Sequence, residues 1–304
     1  MNKEALVEVL LSKQGYLKSG SFKVAKVFKV TRAIAKEAIK EAYSIINNIG
    51  SKNNIKRLFF DIETSPNIML SWRAGYKLNL GPENIIKERA IICICYKWEH
   101  EDKVHYLTWD NKQCDKTMLE LFIDEMHKAD EVIGHNGDKY DIPWIRTRCL
   151  YHRIPMMPDV KSLDTYKKVK GRLNLNSNKL DYLGKFLKVG EKQETGGFDL
   201  WKNICLNNDP EALKKMVEYC IQDVVLLEKV FKELTNYIKH NTHVGAIIDD
   251  NAASCPNCGG VHHRYIKKLV SPVGAISHQL QCTDCNGYYK LNKTNYKKLT
   301  DANL

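Results

Sequence analysis

The sequence predicts an α/β fold, a mixed β-sheet flanked by helices, with a basic helical module before it and a small cysteine-bearing module after it. Three observations lead there. Between about residues 57 and 235, short runs rich in β-branched and aromatic residues alternate with segments of helical apolar spacing. Positive charge collects at the two ends. Four of the ten cysteines form two C-x-x-C pairs near the C-terminus.

The charge is unevenly spread. Residues 1–57 hold 12 Lys and Arg against 4 acidic residues, residues 251–304 hold 7 against 2, and of the net +11 the middle block 58–250 carries −2. Basic flanks on a slightly acidic centre suit a polyanionic partner; solvated lysine faces would produce the same composition. With 43% hydrophobic and 27% charged residues, the 304-residue chain has a soluble globular balance and length for one sizeable core plus smaller modules. No apolar run approaches the roughly 20 residues that span a bilayer. The stretch Met1 to Leu11, with Glu4 and Glu8, lacks the layout of a signal peptide. The expectation is a cytoplasmic protein with no membrane partner, in which Cys93, Cys95, Cys149, Cys205 and Cys220 are buried free thiols.

The elements follow in order. Residues 3–46 look like three helices, and the polar cluster Asn47–Asn54 reads as a linker. Arg57–Glu63 reads as a strand. Ala90–Trp98 and Val104–Trp109 read as strands that can pair across Glu99–Asp102. Thr117–Lys128 is helical, with Leu119, Phe122, Ile123 and Met126 on one side. Glu131–His135 is a short strand, Ile142–Tyr151 a helix, Val160–Asp164 a strand and Leu180–Leu187 a helix. Asp209 caps a long helix with Pro210 at its first position, running to Leu234. Asp249–Ser254 reads as a second linker.

Three patterns carry chemistry. In Phe60-Asp61-Ile62-Glu63, strand alternation points Asp61 and Glu63 to one face while Leu58, Phe60 and Ile62 face a core. Two carboxylates so placed repel unless a cation sits between them; surface strands also carry such pairs. Asp141, in His135-Asn136-Gly137-Asp138-Lys139-Tyr140-Asp141, lies where a strand ends and a helix opens, a position that suits a site or a helix cap. Tyr219 and Asp223 are four apart on the long helix and share a face, as in any amphipathic helix.

Taken together, these segments resemble the three exonuclease motifs of the DEDD superfamily, in the subclass with tyrosine in the third motif; the position where the other subclass has histidine is Glu218. Asn176–Gly184 and Thr195–Trp201 are similar to segments of phage-type ribonuclease-H-like exonucleases, some of them exonuclease subunits of DNA polymerase. The resemblance covers about residues 57–235 and implies a ribonuclease-H-like fold and 3′→5′ hydrolysis of phosphodiesters. It implies two Mg²⁺ or Mn²⁺ ions on Asp61, Glu63, Asp141 and Asp223, with Tyr219 orienting the attacking water. Hard cations with oxygen ligands suit that reaction, because an ion pair about 3.5–4 Å apart can activate water and stabilise a leaving oxygen. The implied partners are nucleic acid, DNA ahead of RNA, and a DNA polymerase or another replication protein; the implied setting is a bacterial cell, with a phage-encoded chain. Candidate substrate contacts are Ser65, Asn136 and Lys179, and Trp72, Arg73, Tyr76 and Lys77 as a single-strand clamp. For each, ordinary packing or solvation accounts equally well for the residue.

Cys255-Pro256-Asn257-Cys258 and Cys282-Thr283-Asp284-Cys285, separated by 23 residues, read as two knuckles holding one structural Zn²⁺ around a β-hairpin, resembling a zinc ribbon. Arg264, Lys267, Lys268 and nearby tyrosines could contact nucleic acid or protein. At the other end, Ser21–Phe28, a turn at Lys29–Thr31 and Arg32–Ile45 resemble a helix-turn-helix, with Thr31 as N-cap; Lys29 stands where the turn usually has Gly. Arg32, Lys36 and Lys40 share a face that could meet phosphates; a plain basic helical bundle fits too. The expected organisation is a helix-turn-helix-like module over 1–48, a catalytic domain over 55–240 and a zinc ribbon over 251–304. Competing functions are a nucleic-acid-binding adaptor with an inactive nuclease fold and a ribonuclease-H-like endonuclease or resolvase.

Overall fold

The computed structural model describes residues 3–12, 20–39, 55–75, 77–192 and 196–301. The linker at 47–54, the part of the predicted helix beyond residue 39, and Lys40, Tyr76 and Thr195 lie outside them. The chain divides into two compact units, Met1–Asn54 and Ile55–Leu304.

In the first unit, α1 (Lys3–Ser12), α2 (Gly20–Phe28) and α3 (32–39) bury Leu6, Val7, Leu10, Val24, Ala35 and Ala38 together. Lys29 adopts the left-handed conformation, φ 51°, which costs a non-glycine residue roughly 1 kcal/mol. The following Val30 N–H returns to the Ala25 carbonyl at 3.1 Å, and Thr31 Oγ1 accepts from Ile34 N at 3.3 Å, capping α3. Arg32 and Lys36 are exposed.

The second unit is built on a five-stranded mixed sheet of β1 (Arg57–Thr64), β4 (Ile91–Trp98), β5 (His105–Thr108), β6 (Glu131–Gly134) and β7 (Ser162–Asp164). Its order is β5-β4-β1-β6-β7; β4 runs antiparallel to β1 and β5, whereas β6 runs parallel to β1 and β7. The predicted hairpin is β4–β5. A small hairpin unforeseen in the sequence, β2 (Ile68–Met69) with β3 (Ile85–Lys87), lies between β1 and β4.

Helices cover both faces. On one, α4 (Lys116–Lys128) and α5 (Asp141–His152) pack against Leu58, Phe60, Ile62, Ile94 and Val132. On the other, α7 (Leu180–Leu187), α8 (Asp199–Asn207) and α9 (Pro210–Leu234) pack against Phe59, Cys93, Cys95, Ile133 and Leu163. The short α6 (Thr165–Lys170) follows β7. β1 is therefore buried on both faces, and Asp61 and Glu63 share theirs with Phe59 beneath α9. α9 begins as expected: Asp209 Oδ1 accepts from Glu211 N at 2.9 Å and Ala212 N at 3.3 Å. Lys97 on β4 pairs with Glu228 at 2.5 Å, both side chains nearly inaccessible, pinning α9 to the sheet.

The polar stretch after α10 (Val244–Asp249) folds tightly rather than running free. Asn251 N donates to Gly245 O at 3.1 Å, and Val244 N donates to Pro256 O at 2.9 Å, tying the first knuckle to α10. Beyond it β8 (His263–Val270), β9 (Ile276–Cys282) and β10 (Tyr288–Asn292) form an antiparallel sheet of order β10-β9-β8. α11 (Lys293–Asp301) contributes Leu299 and Tyr296 to a small core with Leu280, Tyr289 and Leu291. Among the described residues, no helix is long and apolar enough to cross a membrane.

Candidate active site

Local periodicity brings Asp61 and Glu63 to one face of β1, and the packing of α9 on that face brings Asp223 to them. Ligand oxygens of the three carboxylates lie within 4.8 Å of one another. Asp141 stands beside this trio. It is the first residue of α5, and its Oδ1 accepts from Ile62 N at 3.2 Å, so its carboxylate reaches across to β1 between the two acidic positions. Tyr219, one turn before Asp223, faces the same space, with its hydroxyl 3.5 Å from the Lys192 ammonium.

Burial and mutual repulsion show in the proton affinities. Asp61 is held well above the usual carboxylate range, first by burial and then by the charges of Asp141, Glu63 and Asp223. Glu63 is pushed up to about 7 by burial and by Asp223. Asp141 is pushed up to about 7 by burial, against the hydrogen bond from Ile62 N. Burial raises Asp223 as well, while Lys192 opposes it. Burial and the Asp223 charge raise the Tyr219 hydroxyl.

Lys192 is the residue that the sequence reading missed. Its ammonium pairs with Asp223 Oδ2 and lies over the Tyr219 ring, 5.4 Å from the centroid. Burial works against its charge, but Asp223, Asp61 and Tyr219 together outweigh burial and raise its proton affinity. The chain is led there by a close approach: a Cβ on Gly184 would meet Gly190 O at 2.5 Å, and Gly190 has φ 148°. Asp181 Oδ1 then accepts from Lys192 N at 3.0 Å. The only trace in the sequence is a glycine inside a helix and another six residues on, which does not name the lysine.

The donor set fits hard divalent cations. All donors are oxygens, and Asp223 Oδ1 is buried with no hydrogen-bond partner among the described residues, although Oδ2 is engaged. Behind the carboxylates, Cys93, Cys95 and Cys220 cluster, buried and free, with Cys220 Sγ 3.5 Å from Asp61 O.

The other sequence candidates are placed as follows. Ser65 is buried, and its Oγ accepts from Ala90 N at 3.0 Å, a bond that ties the end of β1 to β4. Asn136, with φ 68°, and exposed Lys179 line a cavity of about 410 Å³ beside Lys192, together with His135, Tyr166, Leu180 and Asp181. His135 is satisfied at both ring nitrogens, by Thr165 Oγ1 and Asn178 O, each at 2.9 Å; burial holds its pKa down to about 4, so the ring is neutral. Trp72, Arg73 and Lys77 are exposed on the segment after β2.

In the C-terminal module the four sulfurs of Cys255, Cys258, Cys282 and Cys285 lie within 4.8 Å of one another, with Cys255–Cys285 at 3.7 Å and Cys258–Cys282 at 3.6 Å. Tetrahedral thiolates at a Zn–S distance near 2.3 Å stand about 3.8 Å apart, whereas disulfide sulfurs are bonded at about 2 Å. The cluster is compatible with a zinc ribbon.

The family model RNase_H_2, of the RNase_H superfamily, matches residues 86–235. Residues 86–235 are similar to ribonuclease-H-like domains, and the five-stranded mixed sheet flanked by helices is consistent with that fold. Asp141, Lys192, Tyr219 and Asp223 fall inside the match, and β1 with Asp61 and Glu63 precedes it. Among solved structures, the family B DNA polymerase from the hyperthermophilic archaeon Pyrobaculum calidifontis is similar to 59% of this chain, at 16% identity and a TM-score of 0.44. The similar region spans 24% of that polymerase chain. No curated protein matches the sequence.

Proposed function

We propose that the ribonuclease-H-like domain is a divalent-metal-dependent 3′→5′ exonuclease of the DEDD type with tyrosine in its third motif. The observation that carries this reading is the convergence of Asp61, Glu63 and Asp223, with Asp141 bonded to the strand backbone between the first two. Four clustered carboxylates, Asp141 and Asp223 buried and Asp61 and Glu63 half-buried, repel one another, and a fold retains such a set where cations occupy it.

Asp61, Glu63, Asp141 and Asp223 would hold two Mg²⁺ or Mn²⁺ ions. When bound, these supply Lewis-acid stabilisation of the leaving oxygen and lower the pKa of a water. Tyr219 then orients the attacking water through its hydroxyl, since the side chain is raised against ionisation and remains a hydrogen-bonding group at neutral pH. Lys192 balances charge beside Asp223 and offers a cation to a phosphate oxygen. Asn136 and Lys179, on the adjoining cavity, contact the sugar-phosphate chain; exposed Trp72 and Arg73 stack and clamp it. Ser65 acts from behind, by holding the end of β1. The preferred substrate is single-stranded DNA, and a DNA polymerase or another replication protein is the proposed partner. Residues 1–48 are proposed as a helix-turn-helix-like module presenting Arg32 and Lys36 to phosphates. Residues 251–304 are a ribbon with one structural Zn²⁺ on Cys255, Cys258, Cys282 and Cys285, and 55–240 is the catalytic domain.

One assay tests this. Single-stranded DNA and RNA labelled at the 3′ or the 5′ end are incubated with and without Mg²⁺ or Mn²⁺. Immediate release of 3′ label as mononucleotide, with 5′ label persisting in a shrinking ladder, is expected. Internal cuts would mark an endonuclease or resolvase, and metal-dependent binding without cleavage an adaptor.

A further inference from the structure

The three-stranded sheet of the C-terminal module has one covered face and one open face. Leu280, Cys282, Tyr289 and Leu291 point to the covered side, where α11 supplies Leu299 and Tyr296. The open side is set by the cross-strand pairs. Gln281 stands between Tyr288 and Arg264, and Gln279 between Lys290 and Lys267.

The second row depends on an irregularity in β8. Strict alternation from Arg264 would put Ile266 and Lys268 on its face and Lys267 on the other. A register shift between Tyr265 and Lys267 places Lys267 opposite Gln279 instead, and Lys268 opposite His278 on the covered side. A bulge re-aims side chains in this way, and here it sets two cations in successive rows of one face.

The resulting surface has Arg264, Lys267, Tyr288 and Lys290 exposed around two half-buried glutamines. Arg264 Nη2 donates to Gln281 Oε1 at 2.7 Å, which lays the guanidinium along the sheet with its other donors free for a ligand. Among the described residues, none of these three cations is ion-paired. The one acidic residue between Cys255 and Thr300, Asp284, is in the second knuckle, 3.0 Å from His262. Rows on one face are about 7 Å apart along the strand, and Lys267 and Lys290 flank β9 about 10 Å apart. Cations in rows, one exposed tyrosine and central amides are what a phosphate backbone with stackable bases requires. Leu269, opposite Ser277 in the next row of this face, is half-buried, so what the face exposes around the glutamines is cationic and aromatic rather than aliphatic.

We propose that this open face binds single-stranded nucleic acid, with Arg264, Lys267 and Lys290 on phosphates and Tyr288 stacked on a base. The inference is separate from the catalytic one, and its test uses a catalytically disabled chain, full-length Asp61→Asn/Glu63→Gln. Binding to a fluorescein-labelled 30-nucleotide oligo(dT) is titrated from low to moderate salt. Lys267→Gln/Lys290→Gln should lower the slope of log K against log salt by ~1.4, at ~0.7 per contact. Tyr288→Ala should weaken binding about tenfold and Tyr288→Phe should restore it. Lys297→Gln/Lys298→Gln, on α11 across the module, makes the same change of net charge and should leave slope and affinity unchanged. Zinc content, measured for each variant, certifies the fold. Equal losses in the two lysine pairs would reduce the effect to net charge and overturn the proposal. Unchanged binding in the face variants would overturn it too and leave the face to a protein partner.

Discussion

The Lys192 ammonium is bonded to the Asp223 carboxylate from 31 positions away in the chain, and its charge acts on all three members of the acidic trio. It pulls down the proton affinities of Asp61, Glu63, Asp141 and Asp223, opposing burial at each. Lys192→Met should therefore raise all four. The acid limb of the pH–rate profile should move to higher pH, and the plateau rate should fall on the order of 10²-fold. Lys192→Arg should keep the limb in place. An acid limb that does not move in Lys192→Met would remove Lys192 from the charge balance of the site.

Glu63 has a folded pKa of about 7, above its ordinary 4.5. A group raised in the folded state contributes stability below its unfolded value and loses it as pH rises to the folded value. In divalent-free buffer the chain should lose stability between about pH 4.5 and 7, and at pH 8 Glu63 should be a burden on the order of 1–3 kcal/mol. Glu63→Gln should raise Tm at pH 8 without divalent cations while abolishing hydrolysis. Asp61→Asn should do the same. Added Mg²⁺ should raise Tm more in the wild type than in either variant. A fully active, well-folded Glu63→Gln or Asp61→Asn would dismiss the assignment of these carboxylates.

The C-terminal module should carry one Zn²⁺ per chain, measurable by elemental analysis of protein purified without added metal. Cys258→Ala should lose it and release the three remaining thiols to titration. The small core of Leu280, Tyr289 and Leu291 should then loosen, because a module of this size draws folding energy from its metal. Freely reactive thiols and no zinc in the unmodified chain would sink the ribbon reading.

Met1–Asn54 forms a unit of its own, so its deletion should leave Ile55–Leu304 folded. Loss of phosphate contacts by Arg32 and Lys36 should flatten the salt slope by ~0.7 per contact. KM should rise with a smaller change in single-turnover rate at saturating substrate. Coinciding slopes for the full and shortened chains would recast these helices as a docking site for a protein partner.

The sequence by itself determined the features encoded over short distances. Asp209-Pro210 announces α9 because a side-chain oxygen and a missing N–H are what a helix start accepts. Two-residue alternation pairs Asp61 with Glu63, the helical turn pairs Tyr219 with Asp223, and two C-x-x-C spacings pair four cysteines. Only the tertiary structure decided what depends on contacts between distant segments. Asp223 joins Asp61 and Glu63 because α9 packs on the Phe59 face of β1. Lys192 reaches Asp223 because Gly184 and Gly190 let the chain fold back over α7, and no local pattern marks the lysine that arrives. Lys267, rather than Lys268, joins Arg264 because hydrogen-bond register with β9 admits one extra residue at Ile266. Periodicity sets which way a side chain points within an element. The partner it meets is set by packing, which is the sum of many nonlocal contacts and has no signature at any one position.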